Sequence, residues 1–456
     1  MAVDRSRLPD VGADPDFRFP EIVRHTLANG LDVRTIEHRT VPVMTMVLQI
    51  EGGSGADPDN QEGLAAITAD MLDEGTGSLS AIDVSDAISR IGGDYDVDVG
   101  ADVTTFSLTT LERFAERGMT LLSDLIVRPS LREADFQRVR QMRLDRLRQL
   151  KDLAPAVAER AFLRLLYGPH PYGHLGIGSD AALRSLSVEE VSGFHTGRFV
   201  PSQSTLIIAG AMSHDGMRAL AEKVFGGWMN RAVPVAWSRA SEMEPPDQPG
   251  ARLAIVPREG AAQSELRIGH LSTRRNTPDY PALLVMNSVL GGQFVSRVNL
   301  KLREEKGYTY GARTGFDWRR GRAPFSLHAS VHTAATADAV KDAHAELEGL
   351  RGARPVTTSE LALAKASVTR GYPRNFETAG QVARAVAQLA LYGLPDTYFQ
   401  EFVPKVNAVS GDEVTRVAAA YLDPARLTTL VVGDHSAIAE RLGGQFGAPL
   451  VISPEV

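Results

Sequence analysis

Two stretches decide the fold: LSVEEVSGFHTGRFVPSQSTLIIAGAMS at 186–213 and VSGDEVTRVAAAYLDPARLTTLVVGDHS at 409–436. Shifting the first by 223 residues lays it on the second without a gap. Ser187, Glu190, Val191, Pro201, Thr205, Gly210 and Ser213 then fall on Ser410, Glu413, Val414, Pro424, Thr428, Gly433 and Ser436. Both copies spell one physical unit: an amphipathic helix, a proline that stops it, and a short apolar strand closed by glycine. Such agreement in one register points to an internal duplication.

Upstream of each copy the pattern keeps its order. TTFSLTT (104–110) and PFSLHASV (324–331) alternate apolar and polar residues like half-buried strands. Each leads into a helical stripe, Leu111 to Ile126 in the first copy and Ala339 to Leu350 in the second. A second helix follows at 133–150 and at 358–370. At the front, VRHTLANGLDVRTI (23–36) reads as a hairpin turning at Asn29-Gly30, and PVMTMVLQI (42–50) as a further strand.

The chain is therefore expected to be an α+β protein of two homologous domains. Each would be a mixed or antiparallel sheet with helices packed mainly on one face. The expected boundaries are 1–235, a linker at 236–251 and 252–456, because AVPVAWSRASEMEPPDQPGA (232–251) holds four prolines and little apolar periodicity.

Composition narrows the chemistry. The 456 residues contain no cysteine, which rules out thiolate nucleophiles and Cys-ligated metals. Forty-nine basic against 56 acidic side chains leave −7, which argues against a general nucleic-acid binder. No apolar run is long enough to span a bilayer. The first residues lack an apolar signal core, so a cytoplasmic location is expected, or a periplasmic one if the start is processed.

The usual motifs are weak. His170 and His174 flank Pro171 and Gly173, which suits a loop better than a metal site. His328 and His332 share the Ser326/Ser330 side of a strand, the pattern of a half-solvated polar face. GIGSD (176–180) and LGGQFVSR (290–297) lack the spacing that cradles phosphates. READFQRVRQMRLDRLRQLKD (132–152) reads either as a solvated helix face or as a basic wall toward an acidic partner. One segment is denser in chemistry: NLKLREEKGYTYGARTGFDWRRGR (299–322), where Arg303 near a helix end and Tyr310 early in a strand could present a cation beside a phenol.

From HTLANGLDV (25–33) through GSGADPDNQEGLA (53–65), PYGHLGIGSDAALRSLSVEEV (171–191), LGGQFVSRVNLKLREEKGYTYG (290–311) and LALYGLPDTYF (389–399) to TTLVVGD (428–434), the chain resembles the pitrilysin/insulinase family of inverzincin metallopeptidases. This family includes mitochondrial processing peptidase. The resemblance implies half of a clamshell that closes around a peptide. It also exposes a departure. Where the family's H-x-x-E-H motif should stand, this chain has Ala66, Ala69 and Asp70. The distal glutamate ligand would fall in 141–149, best at Arg146. The resemblance makes Arg303 and Tyr310, seven residues apart, the pair that contacts the substrate carbonyl and stabilises the tetrahedral intermediate. It makes Tyr308 structural.

The resemblance and the departure together imply a zinc-free subunit, inactive alone and binding no cofactor itself. Its partner would be a homologous H-x-x-E-H subunit that carries the zinc, in a heterodimer or heterotetramer acting on peptides or unfolded polypeptide. The alternatives are a catalytically dead structural or peptide-binding subunit, like the core subunits of a respiratory complex, and a peptide-binding homodimer.

Overall fold

The computed structural model describes residues 17–230 and 240–453; part of the expected linker, 236–239, lies outside them. Two six-stranded sheets dominate. The first is made of β1 (Val23–Thr26), β2 (Asp32–Glu37), β3 (Val43–Glu51), β4 (Asp94–Val99), β5 (Val103–Leu111) and β6 (Ser204–Gly210), in the spatial order β1-β2-β6-β3-β5-β4. The second holds β7 (Leu253–Pro257), β8 (Gln263–Leu271), β9 (Thr309–Phe316), β10 (Pro324–His332), β11 (Thr428–Gly433) and β12 (Leu450–Val451), ordered β9-β10-β8-β11-β7-β12.

The two orders coincide when one sheet is followed from its opposite end. In each sheet the strand of the repeated stretch, β6 or β11, pairs in parallel with one neighbour and antiparallel with the other. The duplication extends to the helix starts. Ser187 and Ser410 each accept from the N–H of the glutamate three residues on, and that glutamate bonds back to the serine N–H. These are reciprocal caps that fix where the helix begins. One strand breaks the symmetry. In the first sheet the outer strand is the hairpin partner β1, antiparallel to β2; in the second it is the tail strand β12, parallel to β7.

Period-2 alternation in β5 buries every second residue from Thr104 onward. The hairpin turns at Asn29-Gly30, where Gly30 has φ +91° and the Asn29 amide donates to the carbonyls of Phe225 and Trp228 at 2.8 and 2.9 Å. The helices expected at 111–126, 133–150 and 358–370 lie at Ala115–Val127, Glu133–Lys151 and Thr358–Thr369.

Each sheet packs its own unit's helices on one face. The other face is covered by a helix from the opposite unit. Four helices matter here: α1 (Leu64–Asp70), α2 (Glu133–Lys151), α3 (Ala154–Tyr167) and α4 (Ala379–Tyr392). From α3, Ala158, Ala161, Phe162 and Leu165 close a buried cluster with Ala254, Val256, Leu430 and Val432 of the second sheet. From α4, Val382, Ala383 and Val386 share a core with Val47, Ile207 and Ala209 of the first. Burying one Leu- or Phe-sized side chain contributes about 1.5–3 kcal/mol, so this exchange locks the two units together. Polar ties add to it: the Tyr167 hydroxyl donates to Arg322 O at 2.6 Å, and the Arg320 N–H to Asp102 at 2.9 Å.

The Ser326/His332 side of β10 is half-solvated as expected, but in a gradient: Ser326 is buried, His328 and Ser330 are half-buried and His332 is exposed. Beside it, on β8, Arg267 is buried with Glu265 and reaches Glu159 of α3 at 3.4 Å. His328 bonds to Ser326 at 2.7 Å, and burial, helped by Arg267 and Arg313, pushes its pKa down to about 3. A neutral structural histidine results.

Candidate functional site

Two regions carry the chemistry, one in each unit. In the first, Asp57 caps the short helix α1: its carboxylate accepts from Gly63 N and Ala65 N, both at 2.7 Å, and from His174 at 3.0 Å. This is where HPYGH and GIGSD find their use. Gly63, at φ +99°, starts the helix in a conformation that favours glycine, and a Cβ there would stand 2.9 Å from the Gly178 backbone. His170 is buried and accepts from Tyr172 N at 3.1 Å. Both histidines are structural.

Ala66 and Ala69 are buried on α1, while Asp70 stands at its end beside a cavity of about 740 Å³. The side chain that answers Asp70 comes from α2, but it is Arg143, one turn before Arg146. Arg143 pairs with Asp70 at 2.5 Å and donates to Gly176 O at 2.6 Å. Arg146 lines the same cavity and donates to Gln149 at 3.3 Å. Sequence reasoning missed Arg143; its position one helical turn from Arg146 was the available signal.

The chemistry of this donor set does not fit a zinc ion. Two methyl groups cannot coordinate, the single carboxylate is already neutralised by a guanidinium, and a second arginine lines the cavity. Among the described residues no group of three or more His, Asp or Glu side chains comes together as metal ligands. Asp73, lining the same cavity, has its pKa pushed up to about 6 by burial, with Glu74 adding repulsion. The basic face of α2 is largely answered: Arg138 pairs with Glu74 and Arg148 with Asp145. Across the cavity runs β4, an edge strand with Asp94, Asp96 and Asp98 on one side.

In the second unit, Arg303 and Tyr310 flank the turn into β9, the free edge of its sheet. The helix stops at Gly307 (φ +64°), whose N–H bonds to Arg303 O at 3.0 Å. Tyr308 N donates to Leu302 O at 2.9 Å, and its ring packs on the core, as expected of a structural residue. The pairing of β9 with β10 then slips between Thr309 and Ala312. That bulge throws Tyr310 outward, to 87% exposure. Arg303 lies over the Phe294 ring, 4.4 Å from its centre, with Glu304 at 3.5 Å. Among the described residues it makes no hydrogen bond to Tyr310; the two stand at the helix end and the strand start that the Gly307 turn joins.

The first residue of the 299–322 segment holds this turn together. Asn299, 4% exposed, accepts from Ala312 N at 3.0 Å and donates to Phe294 O at 2.7 Å. One side chain thus ties the strand carrying Tyr310 to the loop on which Arg303 rests. The quoted segment contains it, but its role was not legible there, because both its partners are main-chain atoms brought near by the turn.

Comparison with known proteins settles the lineage. The profile described as Insulinase (Peptidase family M16) matches residues 33–174, and that described as Peptidase M16 inactive domain matches 185–368. The chain belongs to peptidase family M16. An uncharacterized zinc protease of Mycobacterium tuberculosis is 24% identical over 413 residues, 90% of this chain and 93% of that protein. Zinc protease PqqE of Helicobacter pylori is 24% identical over 416 residues, covering 89% of this chain and 91% of that one. Mitochondrial-processing peptidase subunit beta of Lentinula edodes is 24% identical over 279 residues, 60% of this chain and 58% of its own length. Among solved structures, the peptidase M16 inactive domain from Pseudomonas fluorescens superposes with a TM-score of 0.84 at 21% identity, covering 90% of this chain and 98% of that one. The M16 relatives thus share the two-domain α+β fold. Among the described residues no helix is long and apolar enough to cross a membrane.

Proposed function

We propose that this chain is the zinc-free subunit of a two-chain M16 metalloendopeptidase. Its role is to place Arg303 and Tyr310 against a peptide held at the zinc site of a homologous H-x-x-E-H partner. The observation that supports this reading most is the exposure of Tyr310. A tyrosine 87% exposed at a sheet edge adds almost nothing to folding, yet a bulge, a glycine stop and a buried asparagine all present it. Phenol and guanidinium are the donors that a developing oxyanion needs, and they work best when held in place beforehand. The metal pocket of the same chain, by contrast, holds an ion pair.

The test is reconstitution. Each chain is assayed for peptide hydrolysis alone and mixed, and zinc is counted per pair. Turnover is expected only in the mixture, with about one zinc per pair carried by the partner. Full activity of the partner alone, unchanged by adding this chain, rules the reading out.

A further inference from the structure

A second cavity, of about 720 Å³, lies between the units, bounded by the outer face of the first sheet and by the helices around α4. Its wall contains Arg275, which is only 8% exposed. The guanidinium lies over the Tyr280 ring at 3.3 Å from the centre and donates to the Tyr398 hydroxyl at 2.7 Å. Tyr392 stands 5.6 Å away on another side. Among the described residues no carboxylate pairs with it. Other arginines of comparable burial are answered differently: Arg267 has Glu265, and Arg319 has Asp317. A cation taken out of water without a counter-charge is expensive, and aromatic faces return only about 2 kcal/mol of that cost.

A second, independent feature sits in the same wall. Tyr372 is 7% exposed, and its buried hydroxyl has no hydrogen-bond partner among the described residues. Buried hydroxyls are nearly always satisfied, so an orphan beside an unanswered guanidinium marks a place where an acceptor is missing. The rest of the wall mixes aromatic and aliphatic side chains, Trp318 and Phe402 among them, with polar ones that include Gln381, Gln388 and a second arginine, Arg384 of α4. On the facing side, Asp96 and Asp98 of β4 line the space. With Arg275 and Arg384 set against these two acids the wall carries no net charge, so one carboxylate held locally by Arg275 on an apolar body matches it better than a multiply charged anion.

We infer that this inter-domain cavity binds a monocarboxylate carried on an aromatic or bulky apolar group, through Arg275. Two sources fit: the free C-terminus of a peptide ending in such a residue, or a free small acid. This site is separate from the Arg303/Tyr310 edge, and its occupation requires neither the partner nor zinc.

The experiment follows tryptophan fluorescence in the full chain alone, read against Trp318→Phe because Trp318 lines the cavity and the sequence holds two further tryptophans. The chain is titrated with 3-phenylpropanoate and 3-phenylpropanamide, then with acetyl-Ala-Ala-Phe bearing a free or an amidated C-terminus. The expected result is at least tenfold tighter binding of an acid than of its amide, and a tenfold or larger loss in Arg275→Gln. Arg275→Lys keeps the charge without the fork and should fall between the two. Binding of the peptide acid assigns a polypeptide terminus; binding of the small acid alone assigns a free metabolite-sized acid. Equal affinity for acid and amide, no saturation by either acid at millimolar concentration, or wild-type affinity in Arg275→Gln overturns the inference. If Arg275→Gln loses its cooperative melt, the acid–amide contrast on the unmodified chain decides.

Discussion

The Asp70 pocket and the Tyr310 edge occupy different units of a duplicated chain, and they have diverged in opposite directions. At Asp70, groups that face each other neutralise each other: carboxylate meets guanidinium, and two methyls fill the remaining positions. At Tyr310, scaffolding is used to keep a reactive group away from internal partners. A site whose polar groups are satisfied internally is structural; one whose polar groups are held outward awaits something else. Under the proposed function, any catalytic contribution of this chain comes from its second unit.

The largest expected effect is at the edge. Arg303→Ala should lower kcat of the reconstituted mixture by about 10²–10³-fold, the usual cost of losing one oxyanion donor. Its melting temperature should barely move, because Arg303 rests only on Phe294 and Glu304 among the described residues. Steady-state kinetics beside a thermal melt checks both halves of this expectation.

Acid separates the units next. In the second, His328 is held near pKa 3 and His344 near 4, in both cases chiefly by burial. An unfolded histidine takes up its proton near 6.5, whereas these stay neutral when folded, so stability is present above 6.5 and lost as pH falls toward 4 and 3. The loss should be on the order of a few kcal/mol in total. Hydrogen exchange at pH 5 against pH 7 should show the second sheet losing protection first. Glu360, held near pKa 2 by its Arg297 partner, adds a further loss only below about 4.5.

Asn299→Ala comes third. It leaves Phe294 O and Ala312 N without their partner, which costs about 1–3 kcal/mol, and it should also reduce kcat by loosening Tyr310. Asp70→Ala is the smallest in kcat, with no change expected; its stability cost is about 1 kcal/mol or somewhat more, because Asp70 is half exposed but Arg143 is largely buried. If Asp70→Ala abolished activity in the mixture instead, the contrast between the two regions would collapse.

How much of the molecule the sequence disclosed differs by level. The repeat, the hairpin at Asn29-Gly30 and the strand alternation were legible because they rest on local periodicity and turn chemistry. The exchange of α3 and α4 between units was not, since a helix's apolar stripe does not say which sheet it covers. In the metal pocket the missing ligands at Ala66 and Ala69 were visible, but the substitute pair needed a contact between residues 73 apart in the chain. Arg303 and Tyr310 stand out in the sequence through the family motif that they match. Asn299 does not, because hydrogen bonds to main-chain atoms leave no pattern of residue types.

Tyr310→Phe tests the central claim most directly, since it removes one oxygen atom from a side chain that supports nothing in the fold. In the mixture with the H-x-x-E-H partner, kcat is expected to fall by about 10²-fold or more at an unchanged melting temperature. A kcat within twofold of the unmodified mixture contradicts the claim, and leaves this chain a structural subunit.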